Sequence, residues 1–228
     1  MTLIIGHRGA PRDHPENTLA SFVGARDLGA DWVELDVRRS SDGVLVVHHD
    51  PILADGRVIA DTPADRLPDS LPTLAAALAA CSPMGVNIEI KNDPIEPGFD
   101  PGRELALETL EVIAEVAGHL EILVTSFDLA TLTTIRDSGS IVSTGYLVLD
   151  PFQPVDAIAT ALDGGHCAIN PWNPCVTPAV VEACRDAGLS LNTWTVDDAD
   201  RIRQLASWGV DGIITNQPRE ALEALGRN

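Results

Sequence analysis

Basic residues are scarce in this chain of 228 residues: 15 Lys and Arg stand against 34 Asp and Glu, a formal net charge of −19. A surface so acidic repels nucleic acid and anionic lipid, which removes polyanion binding as a general function. It leaves room for one local cleft in which a metal, an Arg and a Lys invert the potential. No apolar run is long enough to span a membrane. The opening Met1-Thr2-Leu3-Ile4-Ile5-Gly6 has no basic stretch and no cleavage-like site, so it reads as a strand and the expected compartment is the cytoplasm. Four cysteines, Cys81, Cys167, Cys175 and Cys184, include no C-x-x-C pair and read as reduced, idle thiols. Linkers, low-complexity tracts and repeats beyond strand–helix alternation are also missing, so residues 1–228 read as a single domain.

What the chain has is 45% hydrophobic residues arranged as short β-rich runs alternating with helical stretches. Strands are expected at Leu3–Gly6, Trp32–Val37, Val86–Ile90, Glu121–Thr125, Ile141–Leu147, Cys167–Asn170, Ser190–Trp194 and Val210–Ile214. Helices are expected near Thr18–Leu28, Thr73–Ala80, Gly102–Ala117, Leu129–Asp137, Pro154–Leu162, Pro178–Ala187, Asp197–Ser207 and Pro218–Ala224. Asn17 and Thr177-Pro178 read as helix starts, and Gly29, Gly139, Gly188 and Gly209 as helix stops. Val44–His48, after the turn Ser41-Asp42-Gly43, reads as an extra strand paired with Trp32–Val37. Eight strand–helix units imply an α/β fold of the (β/α)8 TIM-barrel type, with a short proline-rich excursion, Pro51–Pro72, after strand 2. A doubly wound open sheet competes. The barrel is preferred because the chemically interesting residues lie on strands 1, 2, 3 and 7, which only a closed ring gathers at one mouth.

Those residues cluster where strands end. Glu34 and Asp36 are two apart on one strand and share a face, and Glu89 and Lys91 repeat the spacing on the next. Three converging carboxylates suit a hard cation, Mg2+ or Ca2+, and the His/Cys set of structural zinc is missing. Charges at the ends of core strands are costly unless paired or metal-bound. His7, and one of the adjacent pair His48 and His49 that point to opposite faces, can supply the acid and the base that cleavage of a phosphodiester needs near neutral pH. Arg8 offers a planar fork for phosphate oxygens, Lys91 a point charge, and Trp194 a wall against an apolar part of a substrate. His14, His119 and His166 read as surface or loop residues.

In order along the chain, Gly6-His7-Arg8-Gly9, Pro15-Glu16-Asn17-Thr18, Glu34-Leu35-Asp36-Val37, Val46-Val47-His48-His49-Asp50, Pro72-Thr73-Leu74, Asn87-Ile88-Glu89-Ile90-Lys91, Ser126-Phe127, Asn192-Thr193-Trp194-Thr195-Val196 and Gly209-Val210-Asp211-Gly212-Ile213-Ile214-Thr215 form a highly specific set. On these motifs the chain resembles, end to end, the glycerophosphodiester phosphodiesterase family of metal-dependent TIM barrels. The resemblance implies hydrolysis of glycerophosphodiesters to glycerol 3-phosphate and an alcohol. It implies metal binding by Glu34, Asp36 and Glu89, acid/base catalysis by His7 and His49 (His7 preferred as acid), phosphate contacts from Arg8 and Lys91, and a substrate-side wall at Trp194. It further implies that Asp50 orients the His49 loop, that Glu16 braces Arg8 or His7, and that Asn17 caps the first helix. Two departures stand out. Pro51–Arg57 replaces a longer insertion, leaving the head-group preference open, and Thr215-Asn216 replaces the usual Thr-Asp at a position read as peripheral to the chemistry. The expected partner is a small-molecule glycerophosphodiester, without nucleic acid or stable membrane association; oligomeric state stays open. The alternatives are lysophospholipase D or sphingomyelinase-D-like action on lipids, a catalytically inactive barrel that binds phosphate ligands, and a metal-dependent sugar isomerase on the same fold.

Overall fold

A computed structural model describes residues 1–149 and 154–227, the side chains of Pro154 and Val155 excepted. Its strands are β1 Leu3–Gly6, β2 Trp32–Arg39, β3 Leu45–Val47, β4 Gly85–Ile90, β5 Ile122–Ser126, β6 Ser143–Val148, β7 Ala168–Pro171, β8 Ser190–Thr193 and β9 Gly212–Thr215. The helices between them are α1 Leu19–Asp27, α2 Leu74–Cys81, α3 Glu104–Val116, α4 Leu129–Asp137, α5 Pro154–Asp163, α6 Pro178–Ala187, α7 Ala199–Trp208 and α8 Pro218–Ala224. The ring runs β1-β9-β8-β7-β6-β5-β4-β2 and closes by parallel pairing of β1 with β2. This is the (β/α)8 barrel read from the sequence. β3 lies antiparallel on β2, Val37 opposite Val47, as the hairpin expectation had it.

Alternation along the central strands decides what faces where. On β2, Val33, Leu35 and Val37 are buried in the layer beneath the helices together with Val86, Ile88 and Ile90 of β4. Glu34, Asp36, Asn87 and Glu89 therefore point the other way, into the barrel. A second cluster, with Ile4, Ile169, Leu191 and Ile213, plays the same part on the opposite side.

The helix starts are made by Thr18, Thr73, Asp128, Thr177 and Asp198, each accepting a hydrogen bond from an N–H of the first turn. Gly188 and Gly209 end α6 and α7 in the left-handed conformation (φ 71° and 87°). Asn17 is not the cap of α1. It is buried, left-handed at φ 55°, and its amide is committed to Asp36 (Asn17 Nδ2 to Asp36 Oδ2, 2.8 Å), so Thr18 takes the capping position. The excursion after β3 carries two short 3-10 turns, Ile59–Asp61 and Ala64–Arg66, and packs on a small core of Val46, Leu53, Ile59 and Leu67. Ile141, expected to open the sixth strand, is fully exposed, and β6 begins at Ser143. Among the described residues no helix is long and apolar enough to cross a membrane.

Candidate active site

The turn after β1 is built by close approach. A Cβ on Gly6 would lie 2.3 Å from the Gly9 carbonyl oxygen, and one on Gly9 2.3 Å from Ser21 Oγ. Only glycine fits at both places, and the pinched backbone holds Arg8 at a left-handed φ of 54°. Ser21 Oγ and Asn17 N donate to the Arg8 carbonyl at 2.9 and 3.0 Å, and Arg8 N donates to Glu34 Oε2 at 3.0 Å. His7 and Arg8 are thus aimed across the mouth at β2.

There Glu34, Asp36 and Glu89 bring one carboxylate oxygen each within 4.8 Å of the others. The register of β2 on β4 causes this, since it sets Asp36 directly beside Glu89. Two cations answer the three acids. Arg8 spans Asp36 (Nε to Oδ2, 3.2 Å) and Glu16 (Nη1 to Oε1, 2.9 Å), and Lys91 spans Asp36 (3.1 Å) and Glu89 (2.5 Å). Glu16 therefore braces Arg8. Glu34 Oε1 is buried without a hydrogen-bond partner.

The electrostatics follow from that count. Burial, then Asp36 and Glu89, push the Glu34 carboxyl well above the usual range. Burial also raises Glu89, against the pull of Lys91. Asp36 goes the other way: burial opposes ionisation, but Lys91 and Arg8 beside it hold the carboxyl far below its ordinary value. Burial works against the Lys91 ammonium too, yet Glu89 and Asp36 outweigh it and raise its pKa. Three buried carboxylates facing two cations leave an excess of negative charge with an unpartnered oxygen, the donor set a hard divalent cation takes.

These groups line one side of a cavity of about 290 Å3; His7, Arg8, Glu34, His49, Glu89 and Lys91 face Phe127, Leu147, Leu149, Trp194 and Ile214. All eight residues singled out from the sequence are brought together, Asp36 lying just behind the surface. His49 lines the cavity and His48 does not; both lie just past the end of β3. His49 Nδ1 is 2.6 Å from Asp50 Oδ1. Trp194 donates its indole N–H to the Asn170 carbonyl (2.7 Å) and meets Phe127 edge to face, centroids 5.8 Å apart. His14 is half-buried and His119 exposed, but His166 is buried, with Nδ1 2.9 Å from Thr144 Oγ1, so it is a core residue and not a surface one.

Two further residues touch the histidines. Asn216 is not peripheral: its Oδ1 lies 2.7 Å from His7 Nδ1. Arg38, on β2, is buried and donates through Nε to the His49 carbonyl (2.7 Å), with Nη2 bonded to the same carbonyl and to Glu96 (2.9 Å). The one signal for Arg38 was a charge inside a strand. For Asn216 the signal was the departure from the family's Thr-Asp, whose meaning stayed hidden because its partner lies 209 residues away.

The glycerophosphoryl diester phosphodiesterase family profile matches residues 7–65 and 57–220. The chain belongs to this family. Across 95% of both chains it is 30% identical to the glycerophosphodiester phosphodiesterase of Caldanaerobacter subterraneus subsp. tengcongensis. It is 27% identical to that of Bacillus altitudinis over 98% of both. Among solved structures it resembles an Oleispira antarctica phosphodiesterase in complex with the product sn-glycerol-3-phosphate (TM-score 0.89, 25% identity, 99% and 97% covered). The glycerophosphodiester phosphodiesterase of Thermotoga maritima is similar too (TM-score 0.82, 26% identity, 98% of both chains covered). Family membership accounts for the excess of carboxylates at the mouth, which a barrel needing only a stable core would not keep.

Proposed function

We propose that this enzyme hydrolyses small glycerophosphodiesters to glycerol 3-phosphate and an alcohol, with Glu34, Asp36 and Glu89 as ligands of one divalent cation, Mg2+ or Ca2+. The observation that carries the reading is the convergence of three buried carboxylates, one with an unpartnered oxygen, on a cavity that also holds two histidines. Held by these three carboxylates, such a cation would supply Lewis-acid chemistry to the phosphate. Arg8 and Lys91, already fixed by their carboxylates, bind the remaining phosphate oxygens and stabilise the charge that grows on them. Of His7 and His49, one takes the proton of the attacking hydroxyl and the other gives one to the departing alkoxide. Trp194 and Phe127 wall the far side with apolar surface.

The test is release of glycerol 3-phosphate from glycerophosphocholine and glycerophosphoethanolamine, with EDTA and with Mg2+ or Ca2+ restored. Release that stops with EDTA and returns with one ion supports the reading. No release from either, with metal bound, refutes it for these head groups. A second reading, cleavage of a lysolipid, has in its favour the exposed Phe127 and Leu149 on the cavity wall. Lysophosphatidylcholine in the same assay separates the two.

A further inference from the structure

His7 stands at the end of a chain of hydrogen bonds whose direction is fixed from its far end. Asp197, in the loop after β8, accepts from Thr215 Oγ1 (2.9 Å) and Asn216 N (2.8 Å) through Oδ1, and from Asn216 Nδ2 (2.8 Å) through Oδ2. An ionised carboxylate only accepts. The Asn216 amide must therefore turn its NH2 to Asp197 and its oxygen to His7. That oxygen also only accepts, so His7 Nδ1, 2.7 Å away, must carry the hydrogen. On the cavity side, Nε2 is 3.9 Å from Glu34 Oε2, too far for a hydrogen bond that would hold a proton there.

We propose that Asp197 and Asn216 are positioning residues that lock neutral His7 in its Nδ1–H tautomer, so that every proton this ring exchanges passes through Nε2, the nitrogen facing the cavity. The catalytic consequence rests on the acid/base role proposed for His7; the tautomer does not. In either direction of proton transfer the lock leaves Nδ1–H bonded to Asn216, and only the Nε2 proton comes and goes. Asn216 Oδ1 accepts equally from the neutral and the protonated ring, so the ring keeps one orientation through the cycle. His49 has a different arrangement, a carboxylate on the adjacent residue.

The inference has a sharp test because the chain can be reversed and restored. In Asp197→Asn, the new amide keeps its oxygen toward Thr215 and the Asn216 backbone and turns NH2 toward Asn216. Asn216 must then flip and offer NH2 to His7, forcing the proton to Nε2. The swap Asp197→Asn with Asn216→Asp restores an acceptor opposite Nδ1. The readout is 15N chemical shifts of histidine in the metal-free enzyme at a pH where the ring is neutral, with His7→Ala for assignment. Wild type and the swapped variant should show Nδ1–H, and Asp197→Asn should show Nε2–H. In turnover, Asp197→Asn should lower kcat about 100-fold or more, with KM within threefold, and the swap should recover at least a tenth of the wild-type rate. In a His7→Ala background, Asp197→Asn should cost nothing further. Nε2–H in wild type overturns the proposal, as does an Asp197→Asn variant that keeps Nδ1–H or a swap that restores neither readout. If Asp197→Asn fails to fold, wild type and the swap still decide. A wild type with the expected tautomer but no turnover of any glycerophosphodiester would sink the proposed function and leave the lock standing.

Discussion

Within the mouth, single atoms decide the chemistry. Replacing His7 or His49 by Ala should lower kcat by about 100-fold or more while the melting temperature holds, since neither side chain belongs to the core clusters. Near-normal turnover in both variants would refute their roles. Glu34→Gln removes the acid with the unpartnered oxygen. Added Mg2+ or Ca2+ should raise the wild-type melting temperature and leave that of this variant nearly unmoved, measured by scanning calorimetry. Seven of the eight candidate site residues were legible one by one because each sets a charge or an imidazole in or just past an apolar strand; Trp194 stood out only as a large aromatic at the end of one. Asn216, Asp197 and Arg38 were not, because an amide, a loop acid and one strand Arg look ordinary until folding sets them against His7 and His49.

Strands and helices carry their own constraints. β4 begins at Gly85, where a Cβ would lie 2.1 Å from the Trp32 ring of β2. Gly85→Ala should destabilise the fold by about 1–3 kcal/mol through overpacking, seen as a lower midpoint in urea with an unchanged slope. The seam closing the barrel is tied by Asp31, which accepts from Ile4 N (2.8 Å) and takes both Arg227 Nη atoms (2.8 and 2.7 Å). Burial would raise the Asp31 carboxyl, but the Arg227 and Ile4 hydrogen bonds outweigh it and hold it below its ordinary 3.8. A depressed carboxyl contributes stability above its unfolded pKa and loses it as pH falls through the folded one. Asp31→Asn should therefore melt about 3 °C lower at pH 7, and the difference should close as the pH drops below 3.8. The start of α6 at Thr177 and the stops at Gly188 and Gly209 were legible in the sequence, because a Thr or a Gly makes each cap locally. Asn17 was misread because its amide answers to Asp36, 19 residues on.

At the scale of the molecule, the net charge of −19 extends into the mouth, where three carboxylates outnumber Arg8 and Lys91 until a cation is bound. Arg8 and Lys91 counter the three acids inside low-dielectric walls, where screening by salt is weak. Turnover should change little between 50 and 300 mM NaCl if the substrate is bound by these buried groups; a steep fall with salt would point to surface steering.

What the sequence by itself determined is the set of eight alternating units, the inward parity of Glu34, Asp36 and Glu89, and the family, because strand periodicity, caps and ordered motifs are local properties of the chain. Only the tertiary structure decided which polar groups meet. Ring closure sets β9 against β1 and so brings Asn216 to His7, while the β2 register places Asp36 beside Glu89 and Lys91. Hydrogen-bond partners depend on direction and distance across the ring, and no spacing along the chain encodes either.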